Sequence, residues 1–306
     1  MSIVGWFKSK GPSGFGYTST AEEVTAGLDL AGKKILVTGC NSGLGLEAMR
    51  VLALRGATVL GTARTVEKAK AAGEGLKTPI VPLACELSDP ASVRACVAEV
   101  KRQGHVLDAV ICNAGIMALP KRETIHGLEL QFFTNHIGHF MLVTGLLDSL
   151  AETGRVVMLS SSAHTMAPKV GIAFDDLDAS KSYSGWTNYG QSKIANLLFA
   201  KELSRRFAGT KKTANAVHPG VIRTNLGRHM NPVMTFVFNV FGGIATKNVH
   251  EGAATEVWAA TNPSLATVSG EYMADCNLAK CRADANDPAI AKRLWEVSEG
   301  IVAKLP

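Results

Sequence analysis

Short apolar runs rich in β-branched residues alternate along this chain with longer segments of helical period, and this alternation constrains the fold more than any other feature. The strand-like runs are Lys34–Thr38, Thr58–Thr62, Ile80–Cys85, Ala109–Asn113, Val156–Ser160, Ala214–His218 and Gly270–Met273. The helix-like segments are Leu44–Arg55, Val66–Ala72, Ala91–Lys101, Leu128–Leu147, Tyr189–Arg206, Glu251–Ala260 and Pro288–Ala303. Alternation at this spacing is typical of βαβ units. It predicts an α/β fold with a doubly wound parallel sheet of about seven strands and helices on both faces.

The chain shows no internal repeat and no low-complexity linker over its 306 residues. We therefore expect a single domain over residues 31–306. Residues 1–30 form an N-terminal extension, in which the stretch Gly-Pro-Ser-Gly-Phe-Gly favours loop structure. The net charge of +6 suits an anionic cofactor or substrate. No dense Lys/Arg stripe interleaved with aromatic residues is present, so no nucleic-acid partner is expected.

The cysteines are scattered and form no Cys-x-x-Cys, which favours reduced thiols and a cytoplasmic location. His136 and His139 are three residues apart and could form a metal pair, but no third ligand is nearby, so we favour packing roles and expect no metal. The longest apolar stretch, residues 233–245, is well short of the ~20 residues that cross a bilayer. No transmembrane span is expected. The stretch suits a substrate flap, a core helix, an oligomer interface or a peripheral membrane contact.

A glycine-rich loop follows the first strand and precedes a helix. Glycines at such a place allow a tight turn and close backbone approach to a pyrophosphate, which then lies on helix N-terminal amides. The loop predicts a dinucleotide site at Gly39, Asn41, Ser42, Gly43, Leu44 and Gly45. Arg64 ends the second strand, where a carboxylate would select NAD and an arginine suits the 2′-phosphate of NADP. NADP(H) is therefore favoured, and NAD(H) stays open because Arg64 could be a solvated surface residue.

Tyr189 and Lys193 are four residues apart in a helix-like run. Residues at this spacing share one helix face, about 5–6 Å apart at Cβ. An ammonium so close to a phenol favours the phenolate, so we expect the pKa of Tyr189 to be lowered. A tyrosine that titrates nearer neutrality can act as a general acid and base. Alone, this spacing also arises on any exposed helix face.

The motifs together are similar to those of the short-chain dehydrogenase/reductase superfamily, which has a Rossmann fold. The similarity covers roughly residues 30–300. It rests on the glycine-rich loop, on the Tyr189–Lys193 pair and on five further matches. These are Glu86-Leu87, Asn113-Ala114-Gly115, Asn135, Ser160-Ser161 and Pro219-Gly220-Val221-Ile222-Arg223-Thr224. The chain departs from the family pattern at Cys112, where the family has asparagine, and at Glu86, where it has aspartate.

The resemblance implies roles for these residues. Tyr189 would exchange a proton with the substrate oxygen, and Lys193 would lower its pKa and reach the nicotinamide ribose. Ser161 would bind the substrate oxygen, although Ser160 or Ser162 could serve instead. Asn135 would hold a water molecule, or have only a structural role. The further cofactor contacts implied are Glu86, Leu87, Asn113, Ala114, Gly115, Pro219, Gly220, Ile222 and Thr224.

Four further segments, Asn113–Met117, Asn135–Phe140, Ser161–His164 and Leu294–Ser298, resemble the retinol-dehydrogenase-like branch of the superfamily. The N-terminal segments Gly11–Gly16 and Ser19–Thr25 resemble plant NADPH-dependent members linked to the chloroplast import translocon. The resemblance implies an NADP(H)-dependent oxidoreductase that interconverts an alcohol and an aldehyde or ketone. A segment at about 225–250 would cover a hydrophobic small-molecule substrate. Dimers and tetramers are common in relatives, so a homodimer or homotetramer is compatible by analogy. The alternative is an NADP(H)-sensing interaction protein with little turnover.

Overall fold

The computed structural model describes residues 9–222 and 246–306. Within them an eight-stranded sheet is formed by β1 Lys34–Thr38, β2 Thr58–Ala63, β3 Val81–Ala84, β4 Leu107–Cys112, β7 Leu150–Leu159, β8 Thr213–His218, β9 Tyr272–Ala274 and β10 Asn277–Leu278. The strand order is β10-β9-β8-β7-β4-β1-β2-β3. All neighbouring strands are parallel except β10, which pairs antiparallel with β9. The predicted doubly wound α/β fold is confirmed.

Helices cover both faces of the sheet because the chain crosses from strand to strand over alternate sides. They are α1 Ala21–Val24, α2 Gly43–Leu54, α3 Val66–Ala72, α4 Pro90–Arg102, α5 Leu130–Phe132, α6 Gly138–Gly145, α7 Gly185–Arg206, α8 Val249–Gly252, α9 Ala254–Thr261 and α10 Pro288–Val302. Several of them begin as the sequence dictates: Asp89 and Asp287 accept an N-cap hydrogen bond and are followed by proline at the first helical position. No helix in the described ranges has the length and apolar character needed to cross a membrane.

The core divides into two layers, one on each face of the sheet. One layer packs α4, α6, α7 and α10, with Phe140, Phe199 and Trp295 in mutual ring contact at centroid distances of 5.0–5.5 Å. The other packs α2 and α9, through residues such as Met49 and Val257. Truncating a buried aromatic side chain in such a layer costs about 3–5 kcal/mol. The edge of the sheet between the layers, at the carboxyl ends of the strands, is therefore held on a rigid support.

The region predicted as one helix over 128–147 is more complex. A two-residue turn at His126 and Gly127, with φ of 48° and 75°, closes a small hairpin of β5 Thr124–Ile125 and β6 Leu128–Glu129. Positive φ at both central residues is the geometry that hairpin turns require. Helix α5 then follows and passes through a π-helical turn, Phe133–Ile137, into α6. The prediction of helix at Leu128 was wrong because the turn chemistry overrides the helical period.

The N-terminal segment is also more ordered than the expected loop. Thr20 and Glu23 form a capping box around α1, each side chain bonding the backbone of the other residue. Asn277 of β10 accepts a hydrogen bond from the Ser13 amide and donates one to the Phe15 carbonyl. This segment is therefore packed beside the far edge of the sheet.

Candidate active site

A cavity of about 330 Å³ lies at the carboxyl edge of the sheet. Its wall comes from the ends of β1, β2, β3 and β4, and the strand order reverses between β1 and β4. In open α/β sheets, ligands bind at such a switch point. The cavity is lined by Gly39, Asn41, Ser42, Gly43, Leu44, Ala63, Arg64, Cys85, Glu86, Leu87, Ser88, Asn113, Ala114, Gly115, Ile116, Leu130 and Thr134.

The glycine-rich loop has the geometry that a bound pyrophosphate needs. Gly39 and Gly43 have φ of 70° and 58°, which side chains rarely tolerate. A Cβ at Gly39 would lie 2.9 Å from that of Ala114, and a Cβ at Gly45 would collide with the Asn113 side chain. Ser42 makes no side-chain capping bond at the start of α2, so its hydroxyl does not occupy the first amides of this helix, the groups that bind phosphate at helix N-termini. Gly45 is a packing residue beneath the cavity.

The floor of the cavity is tied to β1 by hydrogen bonds around Thr38. The Asn113 side chain donates to the Thr38 carbonyl at 2.8 Å, and the Ala114 amide donates to Thr38 Oγ1 at 2.9 Å. Thr38 Oγ1 also lies 2.9 Å from His139 Nε2, while His139 Nδ1 lies 2.9 Å from the Asn135 carbonyl. Because that carbonyl only accepts, Nδ1 is the donor and the neutral ring accepts from Thr38 at Nε2. Burial lowers the pKa of His139 to about 4, consistent with this tautomer.

Asn135 is within the π-helical turn, and its side chain braces the cavity floor. Both Nδ2 hydrogens are used, one on the Ile116 carbonyl at 2.9 Å and one on Ser192 Oγ at 2.9 Å. Its Oδ1 accepts from the Ile116 amide at 2.8 Å. A π-helical turn frequently marks a functional position. The observed contacts give the Asn135 side chain a positioning role toward the 113–116 backbone.

Tyr189 and Lys193 lie on one face of α7 and are both buried, with 8% and 3% of their surface exposed. Lys193 Nζ donates to the Leu159 carbonyl at 3.0 Å and lies 5.6 Å from the centroid of the Tyr189 ring. A Cβ at Gly115 would lie 3.5 Å from this Nζ. The catalytic pair predicted from sequence therefore adjoins the cavity floor through Gly115.

The electrostatics of this pair differ from expectation. Burial raises the pKa of Tyr189 to about 12, partly offset by a hydrogen bond with Ser161. Burial also lowers the pKa of Lys193 to about 8. The prediction that Lys193 lowers the pKa of Tyr189 was wrong for this structure, because the ammonium is bonded to the Leu159 carbonyl and desolvation of the phenol dominates. At neutral pH the phenol is protonated and the lysine is charged.

The three consecutive serines after β7 have different environments. Ser161 is half-buried, accepts from the Ala163 amide at 3.1 Å and is near enough to Tyr189 to offset part of the rise in the pKa of that phenol. Ser160 is buried and donates to the Lys193 carbonyl at 2.8 Å, so it fixes α7 against the sheet. The Ser162 side chain is exposed. Ser161 is therefore the serine that the structure brings to Tyr189.

Arg64 and Glu86 stand at the opposite end of the cavity. Arg64 Nε lies 3.9 Å from Glu86 Oε2, and their side chains are 59% and 31% exposed. Glu86 Oε1 accepts from the Ser88 amide at 3.2 Å and from its hydroxyl at 2.8 Å. Leu87 adjoins them, and a Cβ at Gly138 would collide with its backbone. The residues predicted for the adenosine end of a dinucleotide are therefore together.

The Pro219-Gly220 motif follows β8, away from the lining of the cavity. Gly220 has a φ of 97°, and a Cβ there would lie 2.7 Å from the buried Lys247 stem. Lys247 forms an ion pair of 2.7 Å with Asp275 and pairs in a β-bridge with Ile222. Thr224 and the apolar stretch 233–245 lie outside the described residues.

Several lining or bracing residues escaped the sequence analysis. Thr134 lines the cavity, and its buried hydroxyl has no hydrogen-bond partner within the described part of the chain. Such an orphaned hydroxyl, with the glycine cradle, fits a polar ligand in this cavity. His139 was assigned only to packing. Its position four residues after Asn135 was the signal that the two share a helix face. In these ranges no cluster of three or more His, Cys, Asp or Glu could hold a metal ion.

Comparisons with known proteins show the family of this chain. The family model described as short chain dehydrogenase matches residues 33–175. A relative named short-chain dehydrogenase TIC 32 A, chloroplastic, from Brassica napus is 40% identical, with 100% of each chain covered. Human retinol dehydrogenase 14 is 37% identical over 90% of this chain and 87% of its own length.

Solved structures show the same fold. A protein of Mycobacterium Paratuberculosis, titled as putative and uncharacterized, superposes with a TM-score of 0.75 at 33% identity, covering 92% of this chain and 98% of its own. A blue fluorescent protein from a metagenomic library, in complex with NADPH, has a TM-score of 0.65 at 25% identity, covering 81% of this chain and 97% of its own. The chain therefore belongs to the short-chain dehydrogenase/reductase family of oxidoreductases.

Proposed function

We propose that this protein is an NADP(H)-dependent oxidoreductase that interconverts an alcohol and an aldehyde or ketone on a hydrophobic small molecule. The observation that carries the proposal is the buried Tyr189–Lys193 pair, 5.6 Å from ring centroid to Nζ, which adjoins a cavity with a glycine cradle through Gly115. Of the lining residues, Gly39, Gly43 and Asn113 would hold the dinucleotide, and Arg64 would face its 2′-phosphate. The nicotinamide, when bound, supplies or accepts the hydride.

The chain's own residues handle the proton and the oxygen. Because the Tyr189 phenol is protonated at neutral pH, it is ready to donate to a carbonyl oxygen during reduction. Ser161 Oγ is held by the Ala163 amide and can donate to the same oxygen. The charged Lys193 ammonium stabilises negative charge that develops there, in a site where burial strengthens electrostatic effects. The hydrogen bonds of Asn135 and His139 hold the cavity floor against α7 and β1.

Apolar side chains near these residues support a hydrophobic substrate. The Trp186 ring meets the Tyr189 ring edge-on, at 6.2 Å between centroids and 81° between planes. Met166 and Val221, on the segments that leave β7 and β8, are 47% and 45% exposed. Exposed apolar side chains beside a polar catalytic group suit a ligand with an apolar body and one reactive oxygen.

The test is an assay with NADPH and NADH separately, over aromatic, aliphatic, steroid and retinoid-like carbonyls, with Tyr189→Phe as the matched variant. We expect turnover with at least one class, a preference for NADPH, and a loss of about 10²–10⁴-fold in Tyr189→Phe. No turnover on any carbonyl or the matching alcohols, or an unchanged rate in Tyr189→Phe, would refute the proposal. NADPH binding without turnover would instead support a cofactor-sensing protein.

Other expectations stay predictions. Oligomeric state can be tested by light scattering, the cytoplasmic location by fractionation, and peripheral membrane contact by sedimentation with liposomes. Loss of liposome binding when residues 233–245 are made polar would assign that contact to this segment.

A further inference from the structure

The charged side chains that line the cavity bear on which dinucleotide it binds. Among the residues that line it, Arg64 and Glu86 are the two with charged side chains. They are adjacent, so the positive charge that faces a 2′-phosphate is accompanied by a fixed negative one.

Glu86 is held in place rather than swinging freely. Two donors from Ser88, the amide and the hydroxyl, bind its Oε1 at 3.2 and 2.8 Å. The other oxygen, Oε2, is then directed toward Arg64 Nε at 3.9 Å. An aspartate would withdraw the carboxylate by about one carbon–carbon bond, ~1.5 Å. The additional methylene of Glu86 therefore brings the negative charge to Arg64.

We propose that Glu86 limits the preference for a 2′-phosphate that Arg64 creates, so that the cavity binds both NADP(H) and NAD(H). The inference rests on the proposed function. The carboxylate repels a 2′-phosphate dianion and competes with it for the guanidinium. It does not oppose a ribose hydroxyl, which can donate to a carboxylate.

The expected size of the effect follows from the distance and the exposure. Two unit charges about 4 Å apart in water interact by an energy worth roughly fivefold in a binding constant. Both side chains are partly exposed, so added salt screens the interaction. Removal of the Glu86 charge should therefore strengthen binding of 2′-phosphorylated ligands by about 3- to 10-fold at low salt.

The experiment measures binding of adenosine 2′,5′-bisphosphate and of 5′-AMP to the full chain by calorimetry, in wild type and Glu86→Gln. Glutamine keeps an acceptor for Ser88 and removes the charge. We expect the bisphosphate to bind about 3- to 10-fold more tightly in the variant, 5′-AMP to change by less than about twofold, and the difference to shrink in high salt. The same comparison with NADP⁺ and NAD⁺ should give the same direction.

Two variants make the result specific. Glu152→Gln removes an exposed carboxylate near the amino end of β7, where Glu152 pairs with Lys211, and should leave both affinities unchanged. Glu86→Asp keeps the charge but withdraws it, so its ligand preference should fall between wild type and Glu86→Gln. Equal changes for the bisphosphate and 5′-AMP, or no change for either, overturn the inference. A wild-type chain that binds none of these nucleotides overturns the proposed function as well.

Discussion

The two ends of the proposed binding region differ in how far their charged and titratable side chains are exposed to water. At the catalytic end, Lys193 is 3% exposed and bonded to a backbone carbonyl, and Tyr189 is 8% exposed. At the adenosine end, the Arg64 and Glu86 side chains are 59% and 31% exposed. Burial moves the pKa of Lys193 down to about 8 and that of Tyr189 up to about 12. Exposed charges, in contrast, are surrounded by water and screened by salt.

This difference separates the residues proposed to carry out the reaction from those proposed to select the ligand. A buried group can change its protonation behaviour, and its interactions are strong because little solvent competes. An exposed pair adjusts affinity by small, salt-dependent amounts. Substitutions at the catalytic end should therefore cost orders of magnitude in rate, whereas those at the adenosine end should change ligand preference several-fold.

The largest effect is expected for Lys193→Met, which keeps the length of the side chain and removes the charge. Carbonyl reduction should fall by about 10²–10⁴-fold. Because the pKa of Lys193 is lowered from 10.5 to about 8, the wild-type lysine loses its proton as pH rises through about 8. The wild-type reduction rate should therefore decline above that pH. The pH–rate profile of both proteins measures this.

Stability provides the control for that variant. Above the unfolded-state pKa the lysine is neutral in both states and does not destabilise the fold. As pH falls below that value, protonation favours the unfolded state, so at neutral pH Lys193 lowers the free energy of unfolding. Lys193→Met should have a thermal midpoint equal to or above that of wild type. Lys211→Met, at an exposed site, should change neither rate nor midpoint. A Lys193→Met protein with wild-type rate and pH profile would contradict the assignment.

Alanine variants of the three serines test which of their hydroxyls acts at the catalytic end. Ser161→Ala should lower turnover by about 10²-fold because it removes a donor to the reacting oxygen. Ser160→Ala should instead lower stability by about 1 kcal/mol, since it removes a buried hydrogen bond to the Lys193 carbonyl. Ser162→Ala should be silent in both. Turnover and urea unfolding of the three variants separate these outcomes, and a rate loss that follows Ser160 would reverse the assignment.

The fold was predictable because periodicity and strand–helix alternation act locally. Strand β1 and helix α3 have the bounds predicted, and the remaining shared elements differ mainly at their ends. The candidate catalytic residues could be named from sequence because each follows or lies on a regular element at a characteristic spacing. Their exposure, which decides how their charges behave, depends on packing between distant segments and is not a property of spacing.

The features that sequence did not predict share this non-local origin. The Asn135 side chain, on the π-helical turn, forms hydrogen bonds with Ile116 and Ser192, which lie 19 and 57 residues away in sequence. The hydrogen bond from Thr38 to His139 spans 101 residues. The choice of Ser161 over its neighbours depends on where α7 packs against β7. The raised pKa of Tyr189 follows from the same burial.

Glu256 provides a test of whether burial alone shifts the pKa of a residue outside the proposed active site. It is fully buried on α9, its two carboxylate oxygens have no hydrogen-bond partner in the described ranges, and burial raises its pKa from 4.5 to about 8. A raised folded-state pKa gives stability that is complete below the unfolded value and is lost as pH rises through about 8. As pH rises from the unfolded-state pKa to the folded-state pKa of Glu256, the free energy of unfolding of wild type should fall by on the order of 3–5 kcal/mol relative to that of Glu256→Gln.

Urea unfolding of both proteins at pH 5 and pH 8.5 measures that difference. The neutral acid and the amide are similar in shape, so the two proteins should be close in stability at the lower pH and diverge at the higher one. Turnover at neutral pH should be unchanged, because Glu256 lines neither end of the binding region. Parallel stability curves would show that the carboxyl is solvated or paired.

The smallest effect is expected at the exposed end, in Arg64→Gln. This variant should weaken binding of NADP⁺ by about 3- to 10-fold and leave NAD⁺ nearly unchanged, because it removes one partly exposed charge from the 2′-phosphate. In about 1 M salt, where the Debye length is ~3 Å, the difference between variant and wild type should nearly vanish. Lys193→Met should not show this salt dependence in its rate loss, because its charge is buried. Calorimetric titrations in low and high salt, together with the rates of both variants, therefore test whether the two ends differ. If Arg64→Gln loses NADP⁺ affinity equally at both salt concentrations, the guanidinium becomes desolvated on binding. The two ends would then differ less than their exposure indicates.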